Sequence, residues 1–274
     1  MKTQKSFFIL FLLLLTIKQV TANNSDIIVQ SPDGKIELNI LFREKLNFTV
    51  KFKNEYEILP ATLTLTLGDG TILGNKPEPF SQNIQKVSQD IKPLYGTKNS
   101  IKDEYSELTL VLKDKSTLKF RVYNDAIAYR WVTNIKGTIK VVNEELSYKL
   151  TQSIKGWIPE DQTYETRYTY RDISETEKTR DMFLPLVIDG KNNVKLAFTE
   201  ADLFDYPSLF LRKSNDNEQR LNSSFQKFPT KLEKGGYNLY NLVVKETENC
   251  IANTQGTREF PWRIAIIGIT WIGN

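Results

Sequence analysis

The chain has 274 residues, 37 basic and 33 acidic side chains, no histidine and one cysteine, Cys250. Without histidine, Ser-His-Asp and Cys-His catalysis, histidine-ligated zinc and an imidazole general base are all excluded. A lone cysteine excludes an intrachain disulfide. Acid–base or metal chemistry in these residues must therefore rest on carboxylates, hard oxygen donors that suit calcium better than transition metals.

Lys2 and Lys5, the apolar run Phe7 to Ile17 and then Val20-Thr21-Ala22 predict a signal peptide over residues 1–22, cleaved after Ala22. The run is short for a membrane span, so export without a membrane attachment is expected. Cleavage removes Lys2, Lys5 and Lys18, and the formal charge of +4 falls to about +1. The basicity that would support a nucleic-acid partner goes with it.

From there short runs with period-two alternation dominate, the pattern of half-buried strands. Ile36, Leu38 and Ile40 form one such run, and Leu46, Phe48, Val50 and Phe52 the next. Leu63, Leu65 and Leu67 alternate with threonines and stop at the turn Gly68-Asp69-Gly70. Leu108-Leu110-Leu112, Leu118-Phe120-Val122 and Ile127-Tyr129-Trp131 continue as an antiparallel meander. Phe183 to Ile188 and Val194 to Phe198 flank the hairpin turn Asp189 to Asn193, Gly235-Gly236 precedes a run from Tyr237 to Val244, and Trp262 to Thr270 closes the chain. No segment carries a helical stripe. The prediction is an all-β antiparallel sandwich, with Lys76 to Lys92 and Ser214 to Ser224 as mobile polar loops.

Four places can carry function. Arg167, Tyr168, Tyr170 and Arg171, after Asp161 to Glu165, combine donors and rings that suit sugar hydroxyls and sugar faces, or equally the outer side of a strand. Glu200 and Asp202 end an apolar strand as metal ligands or as solvated loop carboxylates. Spacing favours the loop, because two carboxylates fall short of the roughly six to eight oxygens calcium takes. Asp205-Tyr206-Pro207 reads as structural. Trp157, Trp131 and Trp262 serve as sugar platforms or as packing. Cys250 reads as a buried thiol, since a catalytic one needs a base.

Several of these segments resemble glycoside hydrolase family 97. Ser31 to Lys35 is similar to the opening of that family's N-terminal domain, and Phe120 to Arg130 to its strand–turn–strand segment. Phe183 to Val187, Leu196 to Leu203 and Asp205-Tyr206-Pro207 are the most specific match, and Phe260-Pro261-Trp262-Arg263 resembles the domain's end. The resemblance implies a galactose-mutarotase-like β-super-sandwich over 23–268, with a divergent end at 269–274. It also implies exported bacterial α-glucosidases or α-galactosidases, hence a periplasmic or secreted setting. In such enzymes the catalytic carboxylates sit on a (β/α)8 barrel. The N-terminal domain packs on that barrel, shapes its pocket for α-linked glucosides or galactosides, and in some members lends a glutamate to calcium. Glu200 matches that position; Asp202 is expected to be structural. Because this sequence stops at Asn274 and no pair of catalytic carboxylates can be assigned, the expected product is a non-catalytic module that holds calcium only when a barrel completes the site. A free-standing secreted carbohydrate-binding protein is the alternative, and an enzyme using its own carboxylates a third.

Overall fold

The computed structural model describes residues 26–150, 154–160, 165–214 and 219–269. The signal peptide, Asp161 to Tyr164 and the end beyond Ile269 lie outside the described residues.

The first strands are β1 (Ile27–Gln30), β2 (Ile36–Phe42), β3 (Leu46–Phe52), β4 (Glu55–Leu67) and the short β5 (Ile72–Leu73). Their apolar residues alternate into one face: Ile36, Leu38, Ile40, Leu46, Phe48, Val50, Leu63 and Leu65 are all fully buried. β6 (Pro79–Ile91), β7 (Ile101–Leu112), β8 (Thr117–Tyr123) and β9 (Ala126–Leu150) follow. Leu108, Leu110, Leu118, Phe120, Val122, Ile127, Tyr129 and Trp131 supply the opposing buried face. Facing apolar rows of this kind can leave water only by stacking.

The 25-residue β9 joins the two layers. Its first part pairs with β8 through Ile127 to Val132, and its last part pairs with β4 through Val141 to Leu150. Between these stretches it is largely exposed, from Asn134 to Lys140. One layer thus runs β1-β2-β3-β4-β9 and is extended by β15 (Arg220–Ser224) and β14 (Phe210–Lys213). The other runs β6-β7-β8-β9 and continues through β19 (Trp262–Gly268), β13 (Lys195–Ala201), β12 (Leu186–Asp189), β10 (Lys155–Pro159) and β11 (Tyr168–Asp172). β18 (Ala252–Glu259) lies along the middle of β9. Every one of these pairings is antiparallel. Gly156 lets β10 close on β12, since a Cβ there would sit 2.3 Å from the Val187 carbonyl oxygen.

Two polar stretches correct the sequence expectation. Lys76 to Lys92 is not a loop over most of its length: β6 occupies Pro79–Ile91 and pairs with β7 along that whole length. Of its thirteen residues only Pro79 and Val87 are even partly covered, so an edge strand wet on both faces carried no alternation to read. Ser214 to Ser224 likewise ends in β15. A separate hairpin, β16 (Pro229–Gly235) and β17 (Asn241–Thr247), pairs only with itself among the described residues, across a turn at Tyr237–Leu239.

Candidate functional site

Of the places singled out in the sequence, Glu200, Asp202, Asp205 to Pro207, Trp131 and Trp262 lie on or beside β9, β13 and β19, while Trp157 and the Tyr168 to Arg171 segment lie apart on β10 and β11. Register places Glu200 opposite Arg263 and Arg263 opposite Tyr129, all on the inner face. Arg263 is fully buried and donates twice to Glu144, Nε to Oε1 and Nη2 to Oε2, each at 2.8 Å. Its remaining terminal nitrogen, Nη1, donates to Glu200 Oε2. Glu200 also accepts the Leu209 N–H at 3.1 Å. One guanidinium thus ties two carboxylates from separate strands inside an apolar core, the arrangement buried charge requires. Burial pushes the Glu200 carboxyl up from its ordinary range, against the opposing pull of Arg263 and the Leu209 N–H. Burial alone would lower the Arg263 guanidinium, yet Glu144, Tyr206 and Glu200 together outweigh it and hold the charge more firmly than usual.

The other face of β9 and β19, with the neighbouring β7 and β8, carries a stacked ladder. Arg121 lies 4.5 Å from the Tyr105 ring centroid and 4.5 Å from that of Trp262, and Arg130 lies 4.7 Å from Trp262 on its own account. Each arginine is clamped by acid. Arg121 Nε donates to Glu107 at 2.8 Å, and Arg130 donates to Glu259 at 2.8 Å and to Asp202 at 3.0 Å. Lys119 reaches Glu259 at 2.6 Å, and that hydrogen bond holds the Glu259 carboxyl below its usual range. Delocalised guanidinium planes between aromatic rings keep their charge at low hydration cost.

Glu200 and Asp202 are therefore two residues apart but serve opposite faces. Trp131 is fully buried and Trp262 nearly so, both as packing. Trp157 and Tyr170, neighbours across β10 and β11, stand about half exposed with ring centroids 5.8 Å apart. The Tyr170 hydroxyl donates to Asp189, which also pairs with Lys195. Arg171 turns back to the Pro159 carbonyl at 3.2 Å. Tyr206 is buried over Phe260, and Cys250 is a buried thiol whose pKa burial raises.

Glu144 went unread in the sequence, although it lies two and four residues before the core residues Leu146 and Tyr148 and so falls on their face. Arg130 and Arg121 sat inside the matching segments without an assigned role.

The donors at Glu200 do not by themselves fit a calcium ion. Oε2 already faces a guanidinium, and both oxygens of the neighbouring Glu144 are taken by Arg263. Among the described residues no group of three or more acids, cysteines or histidines is placed to hold a metal. A calcium titration of the isolated chain is expected to show no tight one-to-one binding and no rise in melting temperature. A submicromolar site would contradict this.

Fold and site together define an antiparallel all-β sandwich, with its charges gathered where β9, β13 and β19 meet. The Glycosyl-hydrolase 97 N-terminal family matches residues 29–271, and the chain belongs to it. It is similar to a retaining alpha-galactosidase of Bacteroides thetaiotaomicron, 32% identical over 253 residues that cover 88% of this chain and 38% of that protein. A family 97 glycoside hydrolase from Pseudoalteromonas sp. strain K8, solved with acarbose, superimposes with a TM-score of 0.72 at 17% identity, over 89% of this chain and 36% of that one. A beta-arabinopyranosidase crystal structure gives 0.72 at 16% identity, over 89% and 40%. The chain spans well under half the length of each relative.

Proposed function

We propose that this chain is the non-catalytic N-terminal module of a family 97 glycoside hydrolase, exported to the periplasm, where it packs on a (β/α)8 barrel and helps shape a pocket for α-linked galactosides or glucosides. The observation that carries this reading is the match of the N-terminal family over 29–271 together with a span of 36–40% of the relatives' length. The carboxylates at the convergence point support it. Glu144, Glu200, Asp202 and Glu259 are each held by an arginine, and a proton-transfer pair needs groups free to face substrate. On this reading a calcium ion at Glu200 takes its other oxygens from outside the chain and competes with Arg263. Purified protein is expected not to turn over nitrophenyl α-galactoside or α-glucoside. Turnover that survives repurification would contradict the proposal.

One observation favours a second reading, a free-standing carbohydrate-binding protein. Trp157 and Tyr170 form an exposed aromatic pair beside Asp189 and Lys195, and such rings stack on sugar faces. If that pair binds α-glucans, affinity electrophoresis will show retardation that Trp157→Ala abolishes. The module reading predicts no retardation.

A further inference from the structure

β6 is the outermost strand of its layer. Among the described residues it pairs with β7 alone, so its other side offers a row of backbone N–H and C=O groups with no strand beside them. Such edges are ordinarily blunted by short length, bulges, prolines or repeated charge, because any extended chain can pair with them. β6 has little of this protection. It runs for 13 residues, and its proline and its bulge are confined to the start, between Pro79 and Ser81. From Gln82 to Ile91 the ladder is unbroken.

That regular stretch carries two charged side chains, Lys86 and Asp90, both exposed. Neither is ion-paired across the β6–β7 ladder. Lys86 lies opposite Ser106, and Asp90 lies opposite Lys102, which turns instead to Glu104 at 3.8 Å. Apolar side chains stand in water along the same strand and at the tip of its hairpin. Phe80 is 74% exposed, Ile84 48% and Ile91 44%, and Leu94 and Tyr95 are almost fully so.

The strand that fits this edge is its own copy. Two identical strands meeting edge to edge about a two-fold axis run antiparallel and pair residue i with j and j with i, each side chain staying on its own face. Centred on Ser88, that pairing sets Lys86 of each copy against Asp90 of the other. One contact thus makes two opposite-charge pairs, the favourable cross-strand arrangement. Moving the centre to Lys86 or to Asp90 sets like charge against like, and centring on Val87 leaves both charges unmatched. The Ser88 register also puts Gln85 opposite Ile91 and carries Leu94 and Tyr95 of each tip toward Phe80 at the base of the other strand.

We infer that two copies of this chain join edge to edge through β6, centred on Ser88, so that one sheet runs continuously across both sandwiches. The four-residue spacing of Lys86 and Asp90 selects this occupant: it matches itself when reversed, whereas an unrelated strand has no reason to carry the mirrored pattern. Because the contact is isologous it closes at two copies and leaves no β6 edge for a third. The inference goes beyond the module reading and does not depend on it.

Sedimentation velocity of the purified chain over a concentration series tests this, with wild type expected to form a dimer. Lys86→Glu and Asp90→Lys each turn both attractive pairs into repulsive ones and should weaken the dimer about ten-fold or more. Both side chains are already in water, so neither change should move the melting temperature. Mixing the two variants restores opposite charges at both pairs, and a heterodimer of wild-type strength is expected. The double variant Lys86→Glu/Asp90→Lys should likewise dimerise as wild type does. Hydrogen exchange should slow at alternate β6 amides in the wild-type dimer and not in either single variant. A monomer at every concentration, a dimer indifferent to both reversals, or open-ended polymers would overturn the inference. So would single variants that dissociate and stay apart when mixed.

Discussion

Arg263→Met is expected to cost about 3–5 kcal/mol of folding stability, the range for stripping one partner from a buried ion pair. The variant keeps its apolar volume but leaves Glu144, 1% exposed, and Glu200 facing each other inside the core with no cation between them. For a domain of this size that is a melting temperature lower by roughly 10 °C. The pH dependence has a definite sign. Unpaired buried carboxyls bind protons more tightly folded than unfolded, so the variant's stability falls as pH rises through the ordinary carboxylate range. Its deficit against wild type should shrink on acidification. Adding Glu144→Leu and Glu200→Leu should recover much of the loss, because an apolar triad of similar volume has no charge to desolvate. Thermal unfolding followed by circular dichroism at neutral and mildly acidic pH would check all three expectations. An Arg263→Met variant as stable as wild type would show that the triad is not the buried cluster described.

Phe48→Ala should cost a similar amount, about 3–5 kcal/mol, for a different reason. Phe48 projects from β3 into the space between the layers, where its ring meets Phe120 at 6.3 Å, Tyr129 at 6.1 Å and Tyr148 at 6.3 Å. Those three rings come from β8 and from both ends of β9, so the residue packs the two layers together. Truncation leaves a void that strands of a continuous sheet cannot close. Denaturant unfolding should show a lower midpoint with an unchanged slope. Phe204 makes the contrast: the same residue type in water contributes nothing comparable to folding.

These two residues mark what the sequence could disclose. Phe48 announced itself through strict alternation with Leu46, Val50 and Phe52, because a half-buried strand shows one face per two residues. The same rule made most of the meander legible. It failed at β6, where both faces are wet, and over the middle of β9, where exposed residues separate two buried ends. At the candidate site the segments around Glu200 and Arg263 stood out by resemblance, but their pairing depends on β13 lying beside β19, a contact between residues 63 positions apart. Glu144 and the arginine–tryptophan ladder needed the fold itself. A carboxylate on the core face of a strand looks in sequence like one more polar residue in a loop.

The proposed function makes this sandwich the smaller, non-catalytic part of an enzyme whose reacting groups belong to another domain. Mixing the purified chain with the unmatched portion of the Bacteroides thetaiotaomicron alpha-galactosidase and following nitrophenyl α-galactoside release tests that most directly. The account predicts no release by this chain alone and a rate with both together well above that of the partner alone. Release by this chain unaided, or a partner rate indifferent to its addition, would contradict it.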